Sequence, residues 1–236
     1  MTSKILTIDI ETKPAKAYVW RVFKENVGYE QIIEPGGIIC FAAKWLGEKD
    51  TVFYSDWTHS REEMLRAAHK LLSEADAVVG YNSDKFDLAK LNGEFLLIGL
   101  PPVPPLTSID LVKQVRKFGF IMNRLAYIGP LLKIGGKVKH EGFDLWVKVM
   151  NGDEKAQAKM EKYNRQDVIL TEKLYLKIRP YIKNHPHLGE EKSECGACGS
   201  NHVQSRGTRR TKAFKIQRIQ CQSCGAWHDG RREKIG

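Results

Sequence analysis

From Ile5 to Thr12 the chain reads Ile-Leu-Thr-Ile-Asp-Ile-Glu-Thr, a β-branched apolar run that ends in two carboxylates at alternate positions. The residues favour a strand, and the two-residue period of a strand sets Asp9 and Glu11 on one face. Two like charges side by side in a buried strand are costly unless a divalent cation draws them in. This strand therefore calls for a sheet that buries it and for a cation at its acidic face.

The rest of the sequence has an α/β order. Residues 4–10 read as a buried strand. Residues 37–46 and 51–55 read as two more, antiparallel and joined by the turn Gly47-Glu48-Lys49-Asp50. Met64, Leu65, Ala68, Leu71 and Leu72 have the spacing of an amphipathic helix, followed by the strand Ala77-Val78-Val79-Gly80 and a helix from about Asp84 to Ile98. Pro101-Pro102-Val103-Pro104-Pro105 is expected to be extended, since each proline turns its predecessor away from the helical region. A strand at 106–109 and helical patterns near 110–117, 123–133 and 153–179 complete the series, with Gly135 and Gly136 breaking the chain before the last. The expected fold class is α/β, a mixed sheet flanked by helices. Thr12 to Pro35 is long for a loop without function or local structure. Its Trp20 and Phe23, at i, i+3, either pack a local helix or, with Tyr18 and Tyr29, offer rings on which bases stack.

Two later segments add acids. Asn82-Ser83-Asp84-Lys85-Phe86-Asp87 places Asp87 in the first turn of a helix that follows a strand, where α/β sheets open a crevice. Tyr163-Asn164-Arg165-Gln166-Asp167 puts Tyr163 and Asp167 on one helical face. Asp84 reads as an N-cap or first-turn charge favoured by the helix dipole. Taken singly, such acids are helix caps and solvated charges. In order, Asp9-x-Glu11, Asn82-x3-Phe86-Asp87 and Tyr163-x3-Asp167 resemble the three exonuclease motifs of the DEDD superfamily. The tyrosine marks its DEDDy branch, which includes the proofreading domains of family B DNA polymerases.

The resemblance spans about residues 4–180 and implies a ribonuclease H-like fold that hydrolyses phosphodiester bonds from a 3′ end. It implies catalytic roles for Asp9, Glu11, Asp87, Tyr163 and Asp167. Asp9, Glu11 and Asp167 would hold one Mg²⁺ or Mn²⁺, Asp9 and Asp87 a second, and Tyr163 would orient the attacking water. The chemistry agrees: two ions about 3.5 to 4 Å apart hold both the attacking and the leaving oxygen, and carboxylates suit hard cations. Candidate substrate contacts are Asn82, Phe86, Trp20, Lys137 and Lys139. The two lysines, with Lys133 and His140, surround Gly135-Gly136 and either grip phosphates or line a solvated loop.

Four of the five cysteines form Cys195-Gly196-Ala197-Cys198 and Cys221-Gln222-Ser223-Cys224, with 22 residues between the pairs. That spacing suits a four-thiolate zinc site better than two redox pairs, and each pair runs into a glycine that permits a tight turn. The module resembles a zinc ribbon with one structural Zn²⁺, while Cys40 reads as core. Arg206, Arg209, Arg210, Lys212, Lys215 and Arg218, interleaved with Phe214 and Ile216, read as a basic hairpin. Arg209 and Arg210 are candidate nucleic-acid contacts; docking of a protein is the alternative. His202 and His228 are spare donors. His185 to Gly189 reads as a linker, giving an exonuclease domain at 1–187 and the ribbon at 188–236.

The 236 residues carry a net charge of +10, and half of it lies from Glu190 onward, which suits a polyanionic partner. No run approaches the roughly 20 apolar residues that span a bilayer, and no signal core follows the N-terminus, so a reducing cytoplasm is expected. The expected partner is nucleic acid, DNA over RNA, with a separate polymerase or replication protein as a further partner. A 3′–5′ RNA exonuclease and a non-catalytic nucleic-acid-binding replication accessory protein are the alternatives.

Overall fold

The computed structural model describes residues 3–139, 141–183 and 185–235. His140 lies outside them. Strand β1 (Ile5–Lys13) is followed by the short strands β2 (Lys16–Ala17) and β3 (Ile32–Glu34), then β4 (Gly37–Trp45) and β5 (Val52–Ser55). Helix α1 (Arg61–Ser73), strand β6 (Ala77–Gly80), helix α2 (Asp87–Leu97) and strand β7 (Thr107–Asp110) come next. Helices α3 (Leu111–Val115), α4 (Leu125–Leu131), α5 (Phe143–Met150) and α6 (Glu154–Ile178) precede three final strands, β8 (Val203–Arg210), β9 (Phe214–Cys221) and β10 (Trp227–Lys234). The chain divides into two compact units, Ile5–Glu172 and the segment from Lys173 onward, which also takes in Ser3 and Lys4.

In the first unit β1 is the middle strand of a five-stranded sheet ordered β5-β4-β1-β6-β7. It runs antiparallel to β4 and parallel to β6, and β7 is parallel to β6, so the sheet is mixed as expected. Alternation along β1 sorts its side chains. Leu6, Ile8 and Ile10 join Met64, Leu65, Ala68 and Leu72 of α1 and Leu91 and Phe95 of α2 in one core. A second core joins Ile39 and Cys40 of β4 to Leu145 and Val149 of α5 and Met160 and Tyr163 of α6. Helices thus cover both faces, and β4 is buried from Gly37 to Lys44. Each fully buried Leu or Ile in these cores contributes about 1.5 to 3 kcal/mol. Helix α1 begins at a capping box. Ser60 Oγ accepts from the Glu63 N–H at 3.2 Å, and the Glu63 carboxylate accepts from the Ser60 N–H at 2.8 Å.

Three local expectations change. Helix α2 starts at Asp87, with Phe86 in the capping position; Asp84 instead accepts from Ser108 and pairs with Lys113 at 2.5 Å, so it is not an N-cap. Helix α5 was not expected: its eight residues are too short to be stable alone and owe their form to the burial of Leu145 and Val149. Trp20 and Phe23 do not lie on a helix. Their segment holds the β2–β3 pair and a single 3₁₀ turn at Tyr29–Gln31.

The second unit contains the antiparallel sheet β10-β9-β8, in which β8 and β9 are the expected basic hairpin and β10 adds a third strand. Its small apolar centre is made of Cys195, Ala197, Cys221 and Ala226, with Cys198, Val203 and Cys224 against it. Among the described residues, no helix is long and apolar enough to cross a membrane.

Candidate active site

The face of β1 opposite Leu6, Ile8 and Ile10 carries Asp9 and Glu11, and α6 brings Asp167 to it. One carboxylate oxygen from each of Asp9, Glu11 and Asp167 lies within 4.8 Å of the other two. Asp87 enters from the start of α2. Strand β6 pairs with β1 only over Ile5–Thr7, and beyond its end the Ile10 N–H donates to Asp87 Oδ1 at 3.0 Å. That bond fixes Asp87 beside β1, close enough for its charge to act on Asp9, although it stands outside the three-carboxylate set. The turn that delivers it is tight. Asn82 adopts the left-handed region (φ 67°), which asparagine tolerates better than most residues, and its N–H donates to Asp110 Oδ1 at 2.9 Å.

Two residues of α6, Tyr163 of the third motif and its neighbour Asn164, which the motifs do not single out, complete the wall. Asn164, fully buried, donates from Nδ2 to Asp9 Oδ2 at 2.7 Å and to the Asp9 carbonyl at 3.1 Å. Its own Oδ1 is buried without a donor among the described residues. Tyr163 is buried with its ring edge-on to Trp146, centroids 6.1 Å apart. Lys137 reaches in from the glycine-containing loop. Its ammonium lies 2.5 Å from Asp167 Oδ2 and donates to the Tyr163 hydroxyl at 3.2 Å.

Crowding sets the electrostatics. Loss of water, then the charges of Asp87, Glu11 and Asp167, push the Asp9 carboxyl well above the usual carboxylate range, against the pull of Lys137. Burial and Asp167 push Glu11 up to about 8. Burial lifts Asp87 to about 6, its bond from Ile10 opposing the rise. Burial and the three acids Asp167, Glu11 and Asp9 drive the Tyr163 phenol far above its ordinary range, so it keeps its proton and remains a donor. Clustered acids that resist ionisation and an orphaned amide oxygen make a site short of positive charge. This donor set, all oxygen, fits divalent cations of the Mg²⁺ and Mn²⁺ kind.

A sequence profile of the RNase H superfamily matches residues 32–179, well over half of the chain. The chain belongs to the RNase H superfamily. The matched segment begins after β1, so it contains Asp87, Tyr163 and Asp167 but not Asp9 and Glu11. Among solved structures, the family B DNA polymerase of the hyperthermophilic archaeon Pyrobaculum calidifontis is similar at a TM-score of 0.56 and 18% identity, over 76% of this chain and 25% of the polymerase. That likeness is one of fold, and this chain spans a quarter of the polymerase's length. No curated protein matches the sequence.

Outside the RNase H fold, the four sulfurs of Cys195, Cys198, Cys221 and Cys224 lie within 4.8 Å of one another. Cys195 and Cys224, and likewise Cys198 and Cys221, are separated by 3.7 Å between sulfurs. A tetrahedron with Zn–S bonds of about 2.3 Å has edges of about 3.8 Å, so the thiols are already at the spacing of a four-thiolate zinc centre. Gly199 (φ 72°) and Gly225 (φ 79°) close the two turns, donating to the Cys195 and Cys221 carbonyls at 2.7 and 3.0 Å. Against the upward push of burial, backbone N–H groups of Cys224 and Ser223 draw the Cys221 thiol down to about 7. Burial pushes the neighbouring Cys195 and Cys224 thiols up instead, so Cys221 ionises ahead of these two.

The other candidates are scattered. Trp20 is exposed on the segment after β1, and Phe86 is partly exposed beneath the Lys90 ammonium, 5.3 Å from the ring centroid. Lys139 is exposed, and so is Arg210 on β8. Arg209 is held in a forked pair with Asp229 at 3.0 and 2.6 Å. Of the two histidines, His228 has a buried Nε2 with no hydrogen-bond partner among the described residues, and His202 is exposed.

Proposed function

We propose that this protein is a metal-dependent 3′–5′ exonuclease that hydrolyses DNA at single-stranded or frayed ends. The observation that carries the reading is the convergence of Asp9, Glu11 and Asp167 within 4.8 Å, with Asp87 held by the Ile10 N–H close enough for its charge to act on Asp9. Asp9, Glu11 and Asp167 would hold one divalent cation, and Asp9 with Asp87 a second. Bound there, such cations neutralise the phosphate and lower the pKa of a coordinated water. The chain's own groups do the rest. Asn164 fixes the Asp9 carboxylate, and Tyr163, still protonated, donates to the attacking water. Lys137, against Asp167 and Tyr163, brings a positive charge to the cluster that can offset negative charge developing on a phosphate. The cysteine-rich module, with one structural zinc on its four thiols, would be a ribbon domain at 188–236 that retains the nucleic acid, and the nuclease domain would be residues 1–187.

Matched DNA and RNA strands, each labelled at the 5′ end or at the 3′ end, test polarity and sugar together. The expected result is a descending ladder from 5′-labelled DNA and immediate release of the label as mononucleotide from 3′-labelled DNA. A ladder from RNA alone would make the protein an RNA exonuclease. Binding without cleavage in any strand would remove it from the enzymes.

A further inference from the structure

Between β1 and β4 the chain shows its rings to water and keeps its hydrogen bonds to itself. Of residues 18–33, only Glu25, Gly28 and Gln31 are even half-buried. These three form a polar skeleton. The Gln31 amide donates to the Tyr18 carbonyl at 2.9 Å and to Glu25 Oε1 at 3.0 Å, while its oxygen accepts from the Gly28 N–H at 2.7 Å. Glu25 accepts from the N–H groups of Trp20 at 3.2 Å and Arg21 at 2.5 Å. At the root of the segment Glu34 is held by Lys13 at 2.6 Å and Lys16 at 2.8 Å. On this framework Trp20 is 93% exposed, Phe23 82%, Tyr29 81% and Tyr18 76%. The hydrogen bonds order the backbone that carries the rings, so less of the chain remains to be ordered when something settles on them.

Three observations point to the occupant. Four aromatic rings within twelve residues offer π faces, which any base can use, and they are more exposed than all but one (Val22) of the five branched aliphatic side chains (Val19, Val22, Val27, Ile32 and Ile33) that share the segment. Glu25 and Glu34, two of the segment's three acids, are turned to internal partners, while Arg21 and Lys24 have no ion pair among the described residues. The outward charge therefore suits a polyanion. The segment also leaves β1 at Lys13, two residues after Glu11, and Tyr18 stands no more than about 25 Å of extended chain from that carboxylate, a few nucleotides from the acidic centre.

We infer that residues 14–36 form a stacking platform for the bases of a single-stranded nucleic acid whose end occupies the carboxylate cluster. The inference rests on the nuclease reading of that cluster. It is tested on the full chain with two independent readouts: the affinity for fluorescent oligothymidylate in Ca²⁺, by anisotropy, and the hydrolysis of bis(p-nitrophenyl) phosphate by the wild type in Mn²⁺. W20A should weaken oligothymidylate binding on the order of tenfold, W20F should restore most of it, and W20L should not, since stacking needs a ring. Unchanged affinity in W20A and in the W20A/F23A double variant would overturn the platform. So would light scattering that shows the wild type, but not the double variant, self-associating while both bind the oligonucleotide equally; the rings would then be a protein contact. Failure of the wild type to hydrolyse the small phosphodiester would count against the nuclease reading alone, with the platform still decided by the binding series.

Discussion

The two metal-fitting clusters of this protein are built in opposite ways. The acidic centre sits on a fold that has two cores of its own, and those cores hold Asp9, Glu11, Asp87 and Asp167 close together in spite of their repulsion. The cysteine cluster has almost nothing beneath it: its apolar centre is the four thiols themselves with Ala197, Ala226 and Val203. In the first case the fold makes the site. In the second, under the zinc reading proposed above, a metal would make the fold. Removing metal should therefore relieve neither region in the same way, and the contrast can be pressed experimentally.

The largest effect is expected at the cysteines. Structural zinc in such modules contributes about 10 to 16 kcal/mol to folding, far more than the few apolar groups there can supply. Stripping zinc with a strong chelator, or the substitution Cys195→Ala, should abolish hydrogen-exchange protection across β8, β9 and β10 while β1, β4 and α1 keep theirs. Protection retained in the ribbon strands without metal would break the contrast from one side.

The acidic centre should behave in reverse. Glu11 is raised to about 8 and Asp87 to about 6, both above their values in an unfolded chain. Between about pH 4.5 and 8 the metal-free folded state thus binds more protons than the unfolded state, and stability present at low pH is lost as pH rises through the folded pKa. Thermal unfolding in EDTA of the RNase H unit should fall over this window, on the order of a few kcal/mol, and Mn²⁺ should offset the loss most at the alkaline end. Asp9→Asn should raise the metal-free stability at pH 8 and abolish the response to Mn²⁺. A metal-free melting temperature that climbs from pH 5 to 8 would break the contrast from the other side.

A smaller change should follow at Asn164. It holds the Asp9 carboxylate, and groups that orient ligands in this way commonly carry 10- to 100-fold in metal affinity or activity. Asn164→Ala should weaken Mn²⁺ binding by about that factor in isothermal titration; Asn164→Asp, which adds a like charge, should be worse. The smallest effect is expected in the ribbon at Arg209→Ala. The Arg209–Asp229 pair is largely solvated, and such pairs contribute little to stability, so chemical denaturation should barely move.

Much of this arrangement was legible because it follows short periods. Alternation in β1 separates Leu6, Ile8 and Ile10 from Asp9 and Glu11, and the i, i+4 step joins Tyr163 to Asp167. The cysteine spacing is equally local. What escaped was set by tertiary contacts. Helix α5 is short and owes its form to packing, and Asp84 was drawn from the helix start by Ser108 and Lys113, both distant in sequence. Lys137 looked like a cation of a solvated or phosphate-gripping loop, yet its long side chain reaches Asp167. Asn164 could have been noticed: it lies three residues before Asp167, on the same helical face, where an apolar residue would pack better unless it had a polar partner.

The most direct test is hydrolysis itself. A time course on 5′-labelled single-stranded DNA, with zinc-loaded protein freed of other metals, should show no cleavage until Mn²⁺ or Mg²⁺ is added. A descending ladder should then appear with the wild type, and none with Asp9→Asn although that variant remains folded. Cleavage without added divalent cation, or undiminished cleavage by Asp9→Asn, would contradict the assignment of hydrolysis to the carboxylates of β1, α2 and α6.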